Sequence, residues 1–318
     1  MKREETSVNL TQGNKIVLIG AGAVGSSYAY AVVNQGISDE LVIMDANEKK
    51  ATGDVLDLQD GIVYAPSSMK IRFGDFDECA EAAIVVICAG VAQKSGETRI
   101  DLVHRNIAVF EDIVSKIMDT GFNGIIIVAT NPVDILAYAT WKFSKLPKER
   151  ILSSGTILDS ARLRNILGRE FQTAPTSIHA YIIGEHGDTQ LPYWSAATLY
   201  GQKIALKLSD ERKEAIGIEV RDAAYKIIDS KGATFYGIAM GLARITKAIL
   251  RNEQVVLPVG ALQSGENGHE DVFTGVPCLI NRQGVEKVFT LDLDADEREK
   301  FDASVKAIKD IQASIWSS

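Results

Sequence analysis

The sequence predicts an α/β fold: a doubly wound parallel sheet followed by an α+β region. Three observations predict it. Short apolar runs rich in β-branched residues alternate with longer segments through the first half. Their near-continuous hydrophobicity suits strands covered on both faces, as in a parallel sheet. A glycine-rich loop joins the first run to the segment behind it. The composition, 46% hydrophobic and 24% charged over 318 residues, supplies the core such a sheet needs.

The elements follow in order. KIVLIG at 15–20 reads as the first strand, and SSYAYAVVNQG behind it as a crossover helix. LVIMD at 41–45, AAIVVICAG at 82–90 and GIIIVAT at 124–130 read as further strands. Repeated strand–helix–strand order implies right-handed crossovers. Pro132 and Pro147 punctuate the chain before a new region opens near Ile151, giving an expected division into 1–150 and 151–318. The second half offers shorter strand candidates, HAYIIG and VFTLDL. Phe301, Val305, Ile308, Ile311 and Ile315 recur at helical spacing and predict an amphipathic C-terminal helix laid on a core.

Composition narrows the function. Lys and Arg total 34 against 42 Asp and Glu, a net charge of −8 that argues against a nucleic-acid partner. The longest uninterrupted apolar run, 82–92, falls well short of the ~18 residues of a membrane span. The polar opening MKREETSVNLTQGNK lacks the apolar stretch of an export signal. Cys79, Cys88 and Cys278 are odd in number and have no C-x-x-C spacing, which suits a reducing compartment, so a cytoplasmic location is expected.

Gly20-Ala21-Gly22-Ala23-Val24-Gly25 matches G-x-G-x-x-G where a strand ends and a helix begins. In that context the first glycine permits a tight turn and the second lets the backbone approach a pyrophosphate. The third lets the helix pack closely on the sheet. Asp45 ends the second strand about 20 residues further on, where an acidic side chain accepts hydrogen bonds from the adenosine ribose. It would repel a 2′-phosphate. The expectation is a Rossmann-type domain that binds NAD rather than NADP.

Three polar clusters interrupt apolar surroundings. Residues 93–99, QKSGETR, and 130–134, TNPVD, each follow a strand end, where open α/β sheets place ligands. The third is split between LDSARLR at 158–164 and GEHGDT at 184–189. On a helix Asp159 and Arg162 share a face, whereas Arg162 and Arg164 diverge by about 200°. A nicotinamide enzyme acting on an alcohol or ketone needs a proton donor near neutral pH, and His186 suits it. With no H-E-x-x-H and no cysteine near His179 or His186, no metal is expected. His104 and His269 stand in charged segments and read as surface residues.

GAGAVG, Asp45, AGVAQKSGETR, VATNPVDI, GTILDSARLR, IIGEHGDT and KGATFYGIA occur in the order and spacing of the lactate/malate dehydrogenase family, over essentially the whole chain. In detail the sequence resembles the bacterial-type L-lactate dehydrogenase branch. The resemblance implies a glycolytic, fermentative oxidoreductase that exchanges pyruvate and L-lactate, with His186 as acid/base. It implies that Asp159 orients His186, Arg162 grips the substrate carboxylate, and Arg99 polarises the carbonyl. Asn131 and Thr234 resemble further pocket residues; Val24, Lys50, Gly90, Val91, Ala129 and Ser154 match positions that line the cofactor. Gln93 stands where the malate branch has arginine to pair with a second carboxylate, so pyruvate is the first choice and oxaloacetate the runner-up. A non-catalytic NAD-binding sensor is the alternative of another class, and the intact charge set argues against it. The resemblance further implies a homotetramer activated by fructose 1,6-bisphosphate, bound by Arg164 and His179 across a subunit interface. Departures are Phe76 for a common tyrosine, Ser95 for a loop proline, and LPYWSAAT without the usual histidine.

Overall fold

β1 (Lys15–Ile19) is buried along its whole length, which explains its continuous apolar sequence. It heads a computed structural model that describes residues 13–91 and 99–316, Arg99 through its backbone alone. β2 (Glu40–Met44), β3 (Lys70–Phe73), β4 (Ile84–Ile87), β5 (Ile125–Val128) and β6 (Ile151–Ser153) run parallel to β1, in the order β6-β5-β4-β1-β2-β3. Alternate residues of each strand serve opposite faces: Ile16, Leu18 and Val86 join one core, Val17, Ile19 and Val85 the other.

Helices cover both faces. α1 (Ala23–Gln35) and α2 (Glu48–Gly61) bury Tyr28, Val32 and Ala51 on the first face. α3 (Arg99–Asp119) and α4 (Val133–Ser144) bury Phe110, Val114 and Leu136 on the second. α5 (Ile157–Glu170) follows β6, and short strands come next: β7 (Ile178–His179), β8 (Ile182–Ile183), β9 (Leu191–Pro192), β10 (Thr198–Leu199) and β11 (Gln202–Lys203). α6 (Asp210–Lys231) and α7 (Tyr236–Leu250) precede the long antiparallel strands β12 (Val255–Ser264) and β13 (Glu270–Asn281), then β14 (Gly284–Val288) and α8 (Ala295–Trp316).

The sheet does not stop near residue 150. β12 pairs antiparallel with β6 where Gly260 faces Ser153, so β12, β13 and β14 extend it to nine strands. α7 packs on α1, and the buried Tyr28 hydroxyl meets Thr246 Oγ1 at 2.8 Å.

Several sequence expectations need correction. HAYIIG is two strands, β7 pairing with β10 and β8 with β9. VFTLDL contributes only Val288 to a strand. Beyond it the Leu291 and Asp292 amides donate to Asn267 Oδ1 and the Tyr193 hydroxyl, so side chains replace a ladder. His269 is no free surface residue: its Nε2 lies 2.8 Å from Asp302 Oδ1, beside the Phe301 ring. The C-terminal helix stands as expected, with Phe301, Val305 and Ile308 buried.

Candidate active site

The parallel strands end on one edge of the sheet, and β1 and β4 flank the point where strand order reverses. Open α/β sheets bind ligands there. At the end of β1, Gly20 has φ +100, and a Cβ on it would overlap the Ala89 backbone. A Cβ on Gly25 would overlap the Gly20 carbonyl. Both glycines are therefore demanded by packing. Gly22 differs: a Cβ there meets nothing within 4 Å. Its bare backbone faces open space at the start of α1, where no side chain caps the helix. Exposed amides at a helix N-terminus and room for close approach suit a pyrophosphate.

Asp45 lies just past β2, its Oδ2 accepting from Ala21 N at 2.6 Å and its Oδ1 from Asn47 N at 2.8 Å. Lys50 Nζ donates to the Ala21 carbonyl and to Asp54 Oδ2, which ties it to the same loop. Val24 is half-buried in the first turn of α1. Gly90 and Val91 follow β4, with the Val91 amide held at 2.9 Å by the buried Asn106. Ala129 and the exposed Asn131 follow β5, and Ser154, buried, follows β6 and donates its amide to Val128 O. The expected cofactor residues thus stand at or beside the ends of β1, β2, β4, β5 and β6 on one edge of the sheet, Lys50 through its bond to Ala21, where open amides and an acidic group suit a dinucleotide.

The charged set gathers beside it. Asp159 and Arg162 lie one turn apart on α5, and Arg162 Nη1 donates to Asp159 Oδ1 at 2.9 Å. Asp159 Oδ2 lies 2.7 Å from His186 Nδ1. The carboxyl is almost fully enclosed, the imidazole 23% exposed, so the pair is dry on one side and open on the other. Burial by itself pushes Asp159 up, but His186 and Arg162 outweigh it and hold the carboxyl below its ordinary range. Burial likewise pushes His186 down, but Asp159, with help from Asp134, carries it above its ordinary value. With Nδ1 committed to Asp159, Nε2 is the nitrogen left for chemistry.

The loop carrying His186 is fastened from three directions. Gly184, at φ +92, exchanges two backbone hydrogen bonds of 2.9 Å with Gly275 of β13. A Cβ on Gly184 would come within 2.5 Å of Ser304 Oγ, so α8 can sit this close only over a glycine. Ser304 Oγ accepts from Glu185 N at 2.9 Å, and Asp134 Oδ2 accepts from His186 N at 2.8 Å. Sequence reasoning left Ser304 and Asp134 without a role. The signal for Ser304 was a small polar residue on the apolar stripe of α8.

Other expected residues lie elsewhere. Arg164 turns away from the pair and donates Nε to the Pro175 carbonyl at 3.1 Å, four residues before the exposed His179. Thr234 is half-buried between α6 and α7. Gln93, Ser95 and the side chain of Arg99 lie outside the described residues. Among the described residues no cluster of histidine, cysteine or acidic groups could hold a metal, and no helix is long and apolar enough to cross a membrane.

Comparison with known proteins agrees with this fold. The family model for the lactate/malate dehydrogenase NAD binding domain matches residues 14–153, and that for the alpha/beta C-terminal domain matches 156–316. An L-lactate dehydrogenase of Halalkalibacterium halodurans is 67% identical over 97% of this chain and 99% of its own. L-lactate dehydrogenase 1 of Staphylococcus aureus is 56% identical over 96% of this chain and 98% of its own. The crystal structure of the minor L-lactate dehydrogenase from Enterococcus mundtii, in its ligands-bound form, has a TM-score of 0.94 at 42% identity, covering 96% of this chain and 100% of that one. Matched along nearly its whole length, the chain belongs to the lactate/malate dehydrogenase family and is an NAD-dependent dehydrogenase.

Proposed function

We infer that the protein is an L-lactate dehydrogenase, reducing pyruvate to L-lactate and running the reverse reaction. The Asp159–His186–Arg162 set beside the dinucleotide crevice carries this reading. NADH, when bound, supplies the hydride that reaches C2 of pyruvate. Arg162 holds the substrate carboxylate through a two-pronged hydrogen bond that lysine could not make. His186 gives its Nε2 proton to the carbonyl oxygen as the C–H bond forms, leaving a neutral imidazole and L-lactate. In reverse it takes the proton back. Asp159 accepts from Nδ1–H, fixing ring orientation and favouring the imidazolium that the forward reaction consumes. Arg99 stabilises charge developing on the oxygen, and Asn131 and Thr234 complete the pocket. Gln93 leaves a second substrate carboxylate without a partner, which disfavours oxaloacetate.

The reading extends to regulation and setting. Arg164, on α5, bonds the Pro175 carbonyl, four residues before the exposed His179. Two copies of each across a two-fold axis would present four cationic donors to the phosphates of fructose 1,6-bisphosphate. That arrangement requires a homotetramer or a dimer within it. The unpaired cysteines fit the reducing cytoplasm, where a fermentative enzyme would work.

The test is NADH consumption, followed by absorbance, with pyruvate and with oxaloacetate in parallel. Turnover should favour pyruvate and fall by orders of magnitude in His186→Gln. Failure to consume NADH with pyruvate overturns the reading; preference for oxaloacetate moves the protein to the malate branch.

A further inference from the structure

One buried carboxyl beside the site has no task in this chemistry. Asp134 stands in the first turn of α4 and is 3% exposed. Its Oδ2 accepts the His186 amide at 2.8 Å, while its Oδ1 is buried without a hydrogen-bond partner among the described residues. A neutral side chain could hold one amide just as well, and burying a carboxyl with one oxygen unsatisfied is costly. Burial pushes Asp134 up to about 7, against the His186 hydrogen bond and charge that pull it down. The charged groups facing it are His186, Glu185 and Asp159; His186 is the only one of these that can offer a cation.

The place of the contact matters as much as its charge. α4 begins two residues after Asn131, at the end of β5, on the edge of the sheet where the cofactor crevice lies. His186 arrives from 52 residues further along the chain. Its loop neighbours are tied to β13 and α8, through Gly184–Gly275 and Glu185–Ser304. The amide of His186 itself is tied to α4.

We propose that Asp134 is a positioning residue for His186: its carboxyl pins the proton donor's backbone to the cofactor edge of the sheet and, when ionised, supports the imidazolium alongside Asp159. The proposal rests on the reading of His186 as acid/base. Hydride and proton must reach adjacent atoms of one carbonyl, so a small drift between donor and crevice slows the chemical step while leaving cofactor binding intact.

Full-length Asp134→Ala and Asp134→Asn test it. NADH affinity is read by fluorescence, kcat and KM for pyruvate are measured across pH, and the isotope effect uses NADH deuterated at the transferred position. Asp134→Ala should bind NADH normally, lose at least about tenfold in kcat with little change in KM, and show a larger isotope effect. Asp134→Asn keeps an acceptor oxygen and should recover most of kcat. Its pyruvate-reduction limb should move to lower pH by up to about one unit, because an anion favouring the imidazolium is gone. Parental kcat and isotope effect in Asp134→Ala overturn the proposal. So does an Asn variant that neither restores kcat nor moves the limb. If Asp134→Ala fails to fold, the limb of Asp134→Asn decides alone. The parent and His186→Gln check the underlying reading separately: a parent without a titrating limb, or a His186→Gln enzyme with parental kcat, removes His186 and Asp134 together.

Discussion

Asp159→Asn isolates the interaction that defines the site. The substitution preserves size and one acceptor oxygen but removes the charge 2.7 Å from His186 Nδ1. Two unit charges whose centres are about 4 Å apart, at an effective dielectric near 20, attract by about 4 kcal/mol. At about 1.4 kcal/mol per pH unit that would move His186 by up to about three units. The ring is 23% exposed, so water screens part of this, and the expected shift is about one to two units. The burial that opposes the imidazolium remains in the variant, as does the positive charge of Arg162. Asp134 still acts the other way, but burial is the largest of the three effects, so the histidine of the variant should fall below its ordinary value.

The sign follows from the chemistry. Pyruvate reduction consumes the protonated imidazole, so kcat/KM is high below the His186 pKa and is lost as pH rises through it. Lowering that pKa brings the loss to lower pH. Lactate oxidation needs the neutral imidazole, so its rising limb should move down by the same amount. The assay is kcat/KM for both directions from about pH 5 to about pH 9, with thermal unfolding as a control for the stranded Arg162. Limbs that stay where the parent has them, or move upward, would refute the assignment of Asp159 to His186.

Other outcomes follow from the same geometry and chemistry. Gln93→Arg should shift the oxaloacetate-to-pyruvate ratio of kcat/KM by at least about two orders of magnitude, because an unpaired buried carboxylate costs about 3–5 kcal/mol; parallel kinetics with the two substrates check it. Fructose 1,6-bisphosphate should lower the KM for pyruvate about fivefold or more, and His179→Asp should abolish that effect while sparing the maximal rate; superimposable saturation curves would end the regulatory reading. Glu78 is gripped by Arg72 and Lys15, which hold it down to about 2 against its burial. A folded value below the unfolded one gives stability that is present above about pH 4 and lost as pH falls through the folded value. Glu78→Gln should therefore cost about 1–2 kcal/mol at neutral pH, after allowing for solvent at this partly exposed site, and the gap should narrow in acid; chemical denaturation at several pH values measures it.

The strands read correctly from sequence are those covered on both faces: β1, β2, β4 and β5 write their burial as unbroken apolar runs. β3 was missed because it is an edge strand: Lys70 is exposed, and Arg72 reaches Glu40 and Glu78. The longest strands, β12 and β13, were missed for another reason. Each contains a proline, which argues against a strand interior, yet Pro258 and Pro277 face each other in register. The two missing amide donors fall on a single rung, and the rest of the ladder closes around it. Neither chain segment contains the other's address, so the pairing was invisible locally.

The site divides along the same line. Asp159 and Arg162 were legible as partners because helical spacing puts residues three apart on one face, and the divergence of Arg164 followed from the same geometry. The supports of His186 were not legible, because each comes from a remote element. Asp134 is 52 residues from His186, and Ser304 is 119 from Glu185. Local sequence could give this loop little rigidity of its own, with glycine at 184 and 187 on either side of Glu185-His186. Its order must come from outside, from β13, α8 and α4. Those three elements also belong to the packed sheet or lie against it. A change in core packing far from the pocket can therefore reach the proton donor without altering any residue that touches substrate, and it would register first in the rate of hydride transfer, ahead of cofactor affinity.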